Sequence, residues 1–169
     1  MSRAITPEIE QRLRALPGGD KYPIEGAAEA DVCALESEIG RRLPAVYRDF
    51  LKSMGHSAGR LFRGSDYAIS QPHRLRLRDA AEEVLKRSGA EYVLPNDAFV
   101  FLMHHGYQFF FFHLTRDDDP EIYRFADDDI LPRKVARSFS DFLRNLIEDH
   151  ERIVERRQDA DSAIAATRA

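Results

Sequence analysis

The sequence holds one cysteine, Cys33, so no disulfide can close within the chain. A lone thiol suits a reducing compartment. Cys33 is spaced at helical intervals from apolar neighbours and reads as a small buried side chain. Long apolar runs are also lacking. A spanning helix needs about 18 or more apolar residues in succession, and stretches such as 109–112 are far shorter. Residues 1–7 lack the apolar core of a signal peptide, so the cytoplasm is the expected compartment, with no membrane as partner. Excess positive charge is missing: 25 Lys and Arg against 29 Asp and Glu leave a net charge of −4. That argues against direct nucleic-acid binding, which wants a basic face, and is compatible with a basic protein partner. Catalytic signatures are absent too. There is no phosphate loop, GxSxG elbow, HExxH or CxxC, and Cys33 has no identifiable base beside it.

What is present describes one folded domain. In 169 residues, 43% are apolar and 32% charged, enough for a core and too apolar for disorder. Thr6-Pro7 offers an N-cap and a first-turn proline for a helix ending near Leu16, and Pro17-Gly18-Gly19-Asp20 breaks it. A second helix is expected over 28–39, with Val32, Leu35 and Ile39 on one face. Gly40 can take the left-handed position that closes it. A third helix is expected over 44–54, with Pro44 in its first turn. Its residues Tyr47, Phe50, Leu51 and Met54 recur at one-face spacing, and Gly55 can stop it. Residues 56–71 are irregular. Short strands at 60–62 and 67–70 around a Gly64-Ser65-Asp66 turn are expected. Residues 77–87 read as a helix with Ala81, Val84, Leu85 and Ser88 inward, closed by Gly89.

The clearest β signal is a hairpin, residues 99–103 and 108–113 around His104-His105-Gly106-Tyr107. Both strands are apolar at nearly every position, so both faces need cover and the hairpin belongs in the middle of a sheet. The run 109–112 therefore reads as core rather than as a ligand pocket or base-stacking platform. A further strand is expected over 122–125. The last helix carries Phe139, Phe142, Leu143, Leu146 and Ile147 at helical spacing, with Ser138 and Asp141 as an aspartate variant of the capping box. It is expected to run through Val154, and the alanine-rich tail from Asp159 to fray. The organisation expected is a helical extension over 1–23, a domain over 24–155 and a tail over 156–169.

Three segments carry a resemblance to the SMI1/KNR4 family of the SUKH superfamily. Residues 35–51 resemble the family's E-x-x-x-G-x-x-L-P and Y-x-x-F-L entry, matched by Glu36, Gly40, Leu43, Pro44, Tyr47, Phe50 and Leu51. The aromatic hairpin followed by Glu121-Ile122-Tyr123-Arg124-Phe125 is similar to the family's strands. Residues 135–143, with Ser138, Phe139, Phe142 and Leu143, resemble its closing helix. Where many members carry Asn-Gly-Gly after the second of these helices, this chain has Met54-Gly55-His56. The resemblance implies an α+β fold, a single domain with helices packed on an antiparallel, curved sheet. It also implies a non-enzymatic protein-binding domain with no cofactor. Many bacterial members look like immunity proteins that neutralise a cognate toxin, often a nuclease, by occluding its active site. The alternative it leaves open is a regulatory or scaffold subunit of a cell-envelope or signalling assembly. A monomer or weak homodimer is expected, and the motif residues are expected to hold the fold rather than touch the partner.

Other candidates carry less chemistry. His104 and His105 sit at a turn and His113 at the far end of its strand, roughly 20 Å away at strand rise. One metal cannot hold all three. Asp117, Asp118 and Asp119 precede the 122–125 strand, and Asp127, Asp128 and Asp129 follow it. Neither triplet has EF-hand spacing. They read as solvated loops or as a contact patch for a basic partner, which acidic loops orient and anchor. Arg74, Arg76 and Arg78 alternate as if on one side of an extended segment, a solvated edge or a phosphate contact. Function is expected in residues 55–71 and in the aspartate loops. A hydrolase remains as a third reading, and it would require a cleft with mutually hydrogen-bonded titratable groups.

Overall fold

A computed structural model of the chain describes residues 5–67, 69 and 73–167, with 73–76 and 161–167 as backbone only. Its first helix, α1 (Ile5–Ala15), lays Ile5, Ile9 and Leu13 into the core. Thr6 lies inside the first turn, buried, and its hydroxyl has no partner among the described residues, so it does not cap the helix. A bidentate pair ties α1 to the C-terminal helix: Arg12 Nε and Nη2 donate to Glu151 at 2.9 and 2.6 Å. The pair is partly exposed, so the buried apolar face does most of the fastening.

Helices α2 (Glu29–Ile39) and α3 (Ala45–Met54) are joined by a tight link. Gly40 closes α2 with φ 65°, a conformation open to glycine at no steric cost. Pro44 stands one residue before α3, at its N-cap with ψ 141°, rather than in its first turn. Glu36 holds the link together. Its Oε1 accepts the Leu43 N–H at 2.7 Å, and its other oxygen pairs with Arg48 of α3. Burial works to raise the Glu36 pKa, but Arg48 and the Leu43 N–H outweigh it and hold the carboxyl below its usual range. Tyr47, Phe50, Leu51 and Met54 form the buried face of α3. The buried face of α2 runs through Val32 and Leu35, and Cys33 is exposed, contrary to expectation. Adjacent helical residues are about 100° apart, so Val32 inside turns Cys33 outward.

The 56–71 segment differs most from its sequence reading. The strands are β1 (Ile24–Glu25) paired with β2 (Ser57–Ala58), and β3 (Ser65–Asp66) paired with the main hairpin. Residues 60–62 form a turn, not a strand, and Ser65 and Asp66 form a strand, not a turn. Gly59 (φ 60°) and Gly64 (φ 77°) bend the chain at either end. Leu61 and Phe62 plug the core from that turn, which is why the stretch looks strand-like in sequence. Ala68 and Ser70 of the expected 67–70 strand lie outside the described residues.

The main sheet has five antiparallel strands in the order β3-β4-β5-β6-β7, the last four being Ala98–His104, Gln108–His113, Ile122–Ala126 and Arg133–Ala136. The hairpin β4–β5 is interior. Its turn puts His105 (φ 49°) and Gly106 (φ 73°) in the left-handed region, the pairing that matches hairpin twist. A bulge between Val100 and Leu102 places Phe101 and Leu102 on one face in succession. Phe101, Leu102 and Phe112 face one core with α1, α2, α3 and the last helix. Val100, Met103, Phe109, Phe111 and Phe125 face a second core with α4 (His73–Ser88). The phenylalanine run is thus shared between two cores, with helices covering both faces. Strand β7 has no counterpart in the sequence reading. Its Arg133, Lys134 and Val135 are exposed at the sheet edge, so it shows no strong apolar alternation.

The 73–78 stretch is helical, so the three arginines do not lie along an extended edge. The side chains of Arg74 and Arg76 lie outside the described residues. Arg78 donates to the carbonyls of Leu94, Pro95 and Ala98 at 3.0–3.1 Å and clamps the loop into β4. Helix α5 (Phe139–Thr167) begins at Ser138, whose hydroxyl accepts the Asp141 N–H at 3.0 Å. The Asp141 carboxylate bonds Arg137 instead of closing the box. The helix continues well past Val154, through the stretch expected to fray, because its alanines favour helix.

Candidate partner-binding surface

The two aspartate triplets are built differently. In the first, at the start of α3, the Asp118 backbone carbonyl accepts the Val46 N–H at 3.1 Å and its Oδ1 accepts the Ala45 N–H at 3.4 Å, and Asp119 Oδ1 accepts the Ser140 N–H at the start of α5, at 2.9 Å. These are helix N-terminal contacts, which favour negative charge. Asp117 Oδ1 accepts the Asp119 N–H at 3.0 Å and orders the loop.

In the second triplet the roles divide. Asp127 and Asp128 are exposed, whereas Asp129 is buried at 6% exposure. Asp129 Oδ2 accepts from the Ala126 N–H and from Arg124 Nη2, both at 3.0 Å, and Oδ1 pairs with Arg133 Nη2 at 2.8 Å. Burial pushes its pKa up, but the bonds from Arg124 and Ala126 and the two arginine charges prevail and hold it low. Asp129 therefore staples the β6–β7 loop at its base. The next residues are turned out: Ile130 is 82% and Leu131 60% exposed. The Asp127 N–H also bonds the Tyr107 carbonyl at 3.1 Å, which joins this loop to the β4–β5 turn, where Tyr107 is itself exposed. One end of the sheet thus presents Tyr107, Ile130 and Leu131 beside two free-standing carboxylates. Apolar and aromatic anchors with a charged rim are the ingredients of a protein interface.

Sequence reasoning named all six aspartates as candidate contacts and did not single out Ile130, Leu131 or Tyr107, which the structure places exposed beside Asp127 and Asp128. The available signal was an apolar pair with no periodic partner, wedged between an acidic run and Pro132.

A groove of about 650 Å³ lies between the 60–65 turn, the ends of β4 and β5, and α5. Within it Ser65 Oγ and His104 Nδ1 are 2.8 Å apart. Burial, then the neighbouring His105, lower the His104 pKa. The two residues are direct cross-strand partners of β3 and β4, and among the described residues no carboxylate lines the groove to orient the imidazole as a nucleophile's base requires. His113 lies at the other end of β5, with Nδ1 3.1 Å from Asp97 Oδ1. Among the described residues no three His, Cys, Asp or Glu side chains come together as a metal site. No helix among them is long and apolar enough to cross a membrane.

Compared with known families, the chain matches the sequence model of the SMI1 / KNR4 family (SUKH-1) over residues 26–145. No curated protein matches it.

Proposed function

The chain belongs to the SMI1/KNR4 family (SUKH-1), whose membership supports an immunity-like protein-binding domain, and from that premise we propose that it neutralises a cognate toxin without catalysis. The family match over 26–145 is the observation that carries this reading. The sheet-end surface is the part we assign to the toxin. Ile130, Leu131 and Tyr107 supply apolar anchors, and Asp127 and Asp128 the orienting charge. A nuclease toxin has a basic groove for phosphates, and two aspartates beside apolar anchors suit such a groove. Occlusion would follow from seating this surface over the active site. Of the six aspartates, Asp127 and Asp128 are retained as contacts. Asp129 positions its loop, Asp117 orders the first loop, and Asp118 and Asp119 meet helix starts. The proposed setting is the cytoplasm.

Co-expression with the toxin domain encoded by the neighbouring reading frame is the test. Rescued growth and a recovered complex are expected. Ile130→Asp and Leu131→Asp should each weaken the complex by about 2 kcal/mol, roughly thirty-fold, with the fold intact. No rescue and no complex would sink the reading. Rescue that both variants leave untouched would move the interface elsewhere.

A further inference from the structure

The groove on the other side of the hairpin differs in sign from the surface assigned to the toxin. Its floor is apolar, made by Leu102, Phe110, Phe142 and Leu146, and Ile153 of α5 stands 48% exposed at its edge. Its charges are Arg60, Arg63 and Arg157, with no carboxylate among its described lining residues. Elsewhere in the molecule Arg12, Arg48, Arg124 and Arg133 all meet carboxylates. The three groove arginines make no ion pair with any described carboxylate. Two are nonetheless held in place. The guanidinium carbons of Arg60 and Arg63 lie 4.7 and 4.8 Å from the centre of the Tyr22 ring, and Arg63 donates to the Tyr22 hydroxyl at 3.0 Å. The buried Nε of Arg60 has no hydrogen-bond partner among the described residues.

We infer that this groove docks an acidic, amphipathic peptide segment of a partner protein. The segment's apolar side chains lie on the phenylalanine and leucine floor, and its carboxylates reach the three arginines. Arginine suits this task because its planar fork binds carboxylates bidentately and it is already ordered over an aromatic ring. Cations without a carboxylate among the described residues, in a chain of net charge −4, are the complement such a segment requires. A nucleic acid would use the arginines but leave the apolar floor uncovered, so the peptide is favoured. The inference does not depend on the toxin reading, because it uses a separate set of side chains.

The experiment is selection of a random peptide display library on the intact protein, followed by fluorescence anisotropy of the enriched peptides. Enriched sequences should be net acidic with leucine or phenylalanine at helical spacing. Their affinity should fall at least about tenfold in Arg60→Gln/Arg63→Gln and in Arg157→Glu, and should weaken with salt. Arg157 is exposed, so its variant keeps the fold if the double variant does not; circular dichroism melts check both. Ile130→Asp should leave peptide binding unchanged while weakening the toxin complex roughly thirty-fold, which separates failure of one reading from failure of the other. Enrichment of neutral or basic peptides, no enrichment, or acidic peptides indifferent to Arg157→Glu would overturn the inference. So would tighter binding of an oligothymidine single strand than of any selected peptide.

Discussion

Replacing Asp129 by alanine removes the group that holds the exposed loop without removing anything the partner would touch. The buried carboxylate satisfies the Ala126 N–H and meets Arg124 and Arg133. Severing a buried ion pair by deleting one partner costs about 3–5 kcal/mol. That full amount is not reached here, because the arginine side chains are 31% and 71% exposed and can turn to water. The Ala126 N–H, in a buried residue, loses its acceptor, which costs about 1–3 kcal/mol. We therefore expect a loss of about 2–3 kcal/mol for Asp129→Ala in urea unfolding at neutral pH. Asp129→Asn keeps one acceptor and should lose about 1–2 kcal/mol. The pH dependence has a definite sign. The folded pKa of Asp129 is lowered, so its contribution is complete above the ordinary carboxylate pKa and disappears as pH falls through the lowered folded value. The gap between wild type and Asp129→Asn should accordingly close on acidification below about pH 4. Limited proteolysis should cut the loop at Leu131 faster in Asp129→Ala, and toxin rescue should weaken. A variant within about 0.5 kcal/mol of wild type, with unchanged proteolysis, would refute the staple.

Tyr47 stacks among Phe50, Phe99, Phe101, Phe112 and Phe139 at centroid distances of 5.2–5.9 Å, so Tyr47→Ala should cost about 3–5 kcal/mol in chemical unfolding. A fully stable Tyr47→Ala that loses its partner would instead place this residue in the interface. At Gly26 an added Cβ would sit 1.7 Å from the Lys52 carbonyl oxygen, so Gly26→Ala must push β1 off α3. A loss at or above the usual overpacking range of about 1–3 kcal/mol is expected in thermal melts. The exposed Cys33 should react with a thiol reagent in the native protein nearly as fast as in the unfolded chain, and Cys33→Ser should change stability by less than about 0.5 kcal/mol. Protection of the thiol would mean that α2 is rotated from its described setting.

Elements with strong local signals are legible in the sequence. The α2–α3 junction was marked by Gly40, the α3 face by Tyr47, Phe50 and Leu51, and the hairpin by two β-rich runs around a glycine. In each, the conformational preference and the apolar period agree. The differences have separate physical causes. The 60–62 stretch and the arginines from Arg74 to Arg78 are short windows, where a two- or three-residue pattern cannot tell a strand from a turn or a helix, and Cys33 lies on the expected helix but one step round from its buried face. Strand β7 was invisible because an exposed, charged edge strand has no apolar face to advertise. Glu36 was matched as a motif position, but only the structure shows its carboxylate joining the Leu43 N–H to Arg48.

The sequence by itself determined the α+β class and the order of most elements, because these follow from local propensity and from apolar spacing along the chain; the family rests instead on its motif residues and on the match over 26–145. Only the tertiary structure decided which charges are free. Asp127, Asp128 and Asp129 are identical in sequence, yet two face solvent and the third is buried between two arginines. Ile130 and Leu131 look like any apolar pair until the staple at Asp129 turns them outward. Arg60, Arg63 and Arg157, nearly a hundred residues apart at the extremes, meet at one groove only after the hairpin and α5 close around it. Burial and charge pairing depend on residues distant in the chain, so no local window contains them.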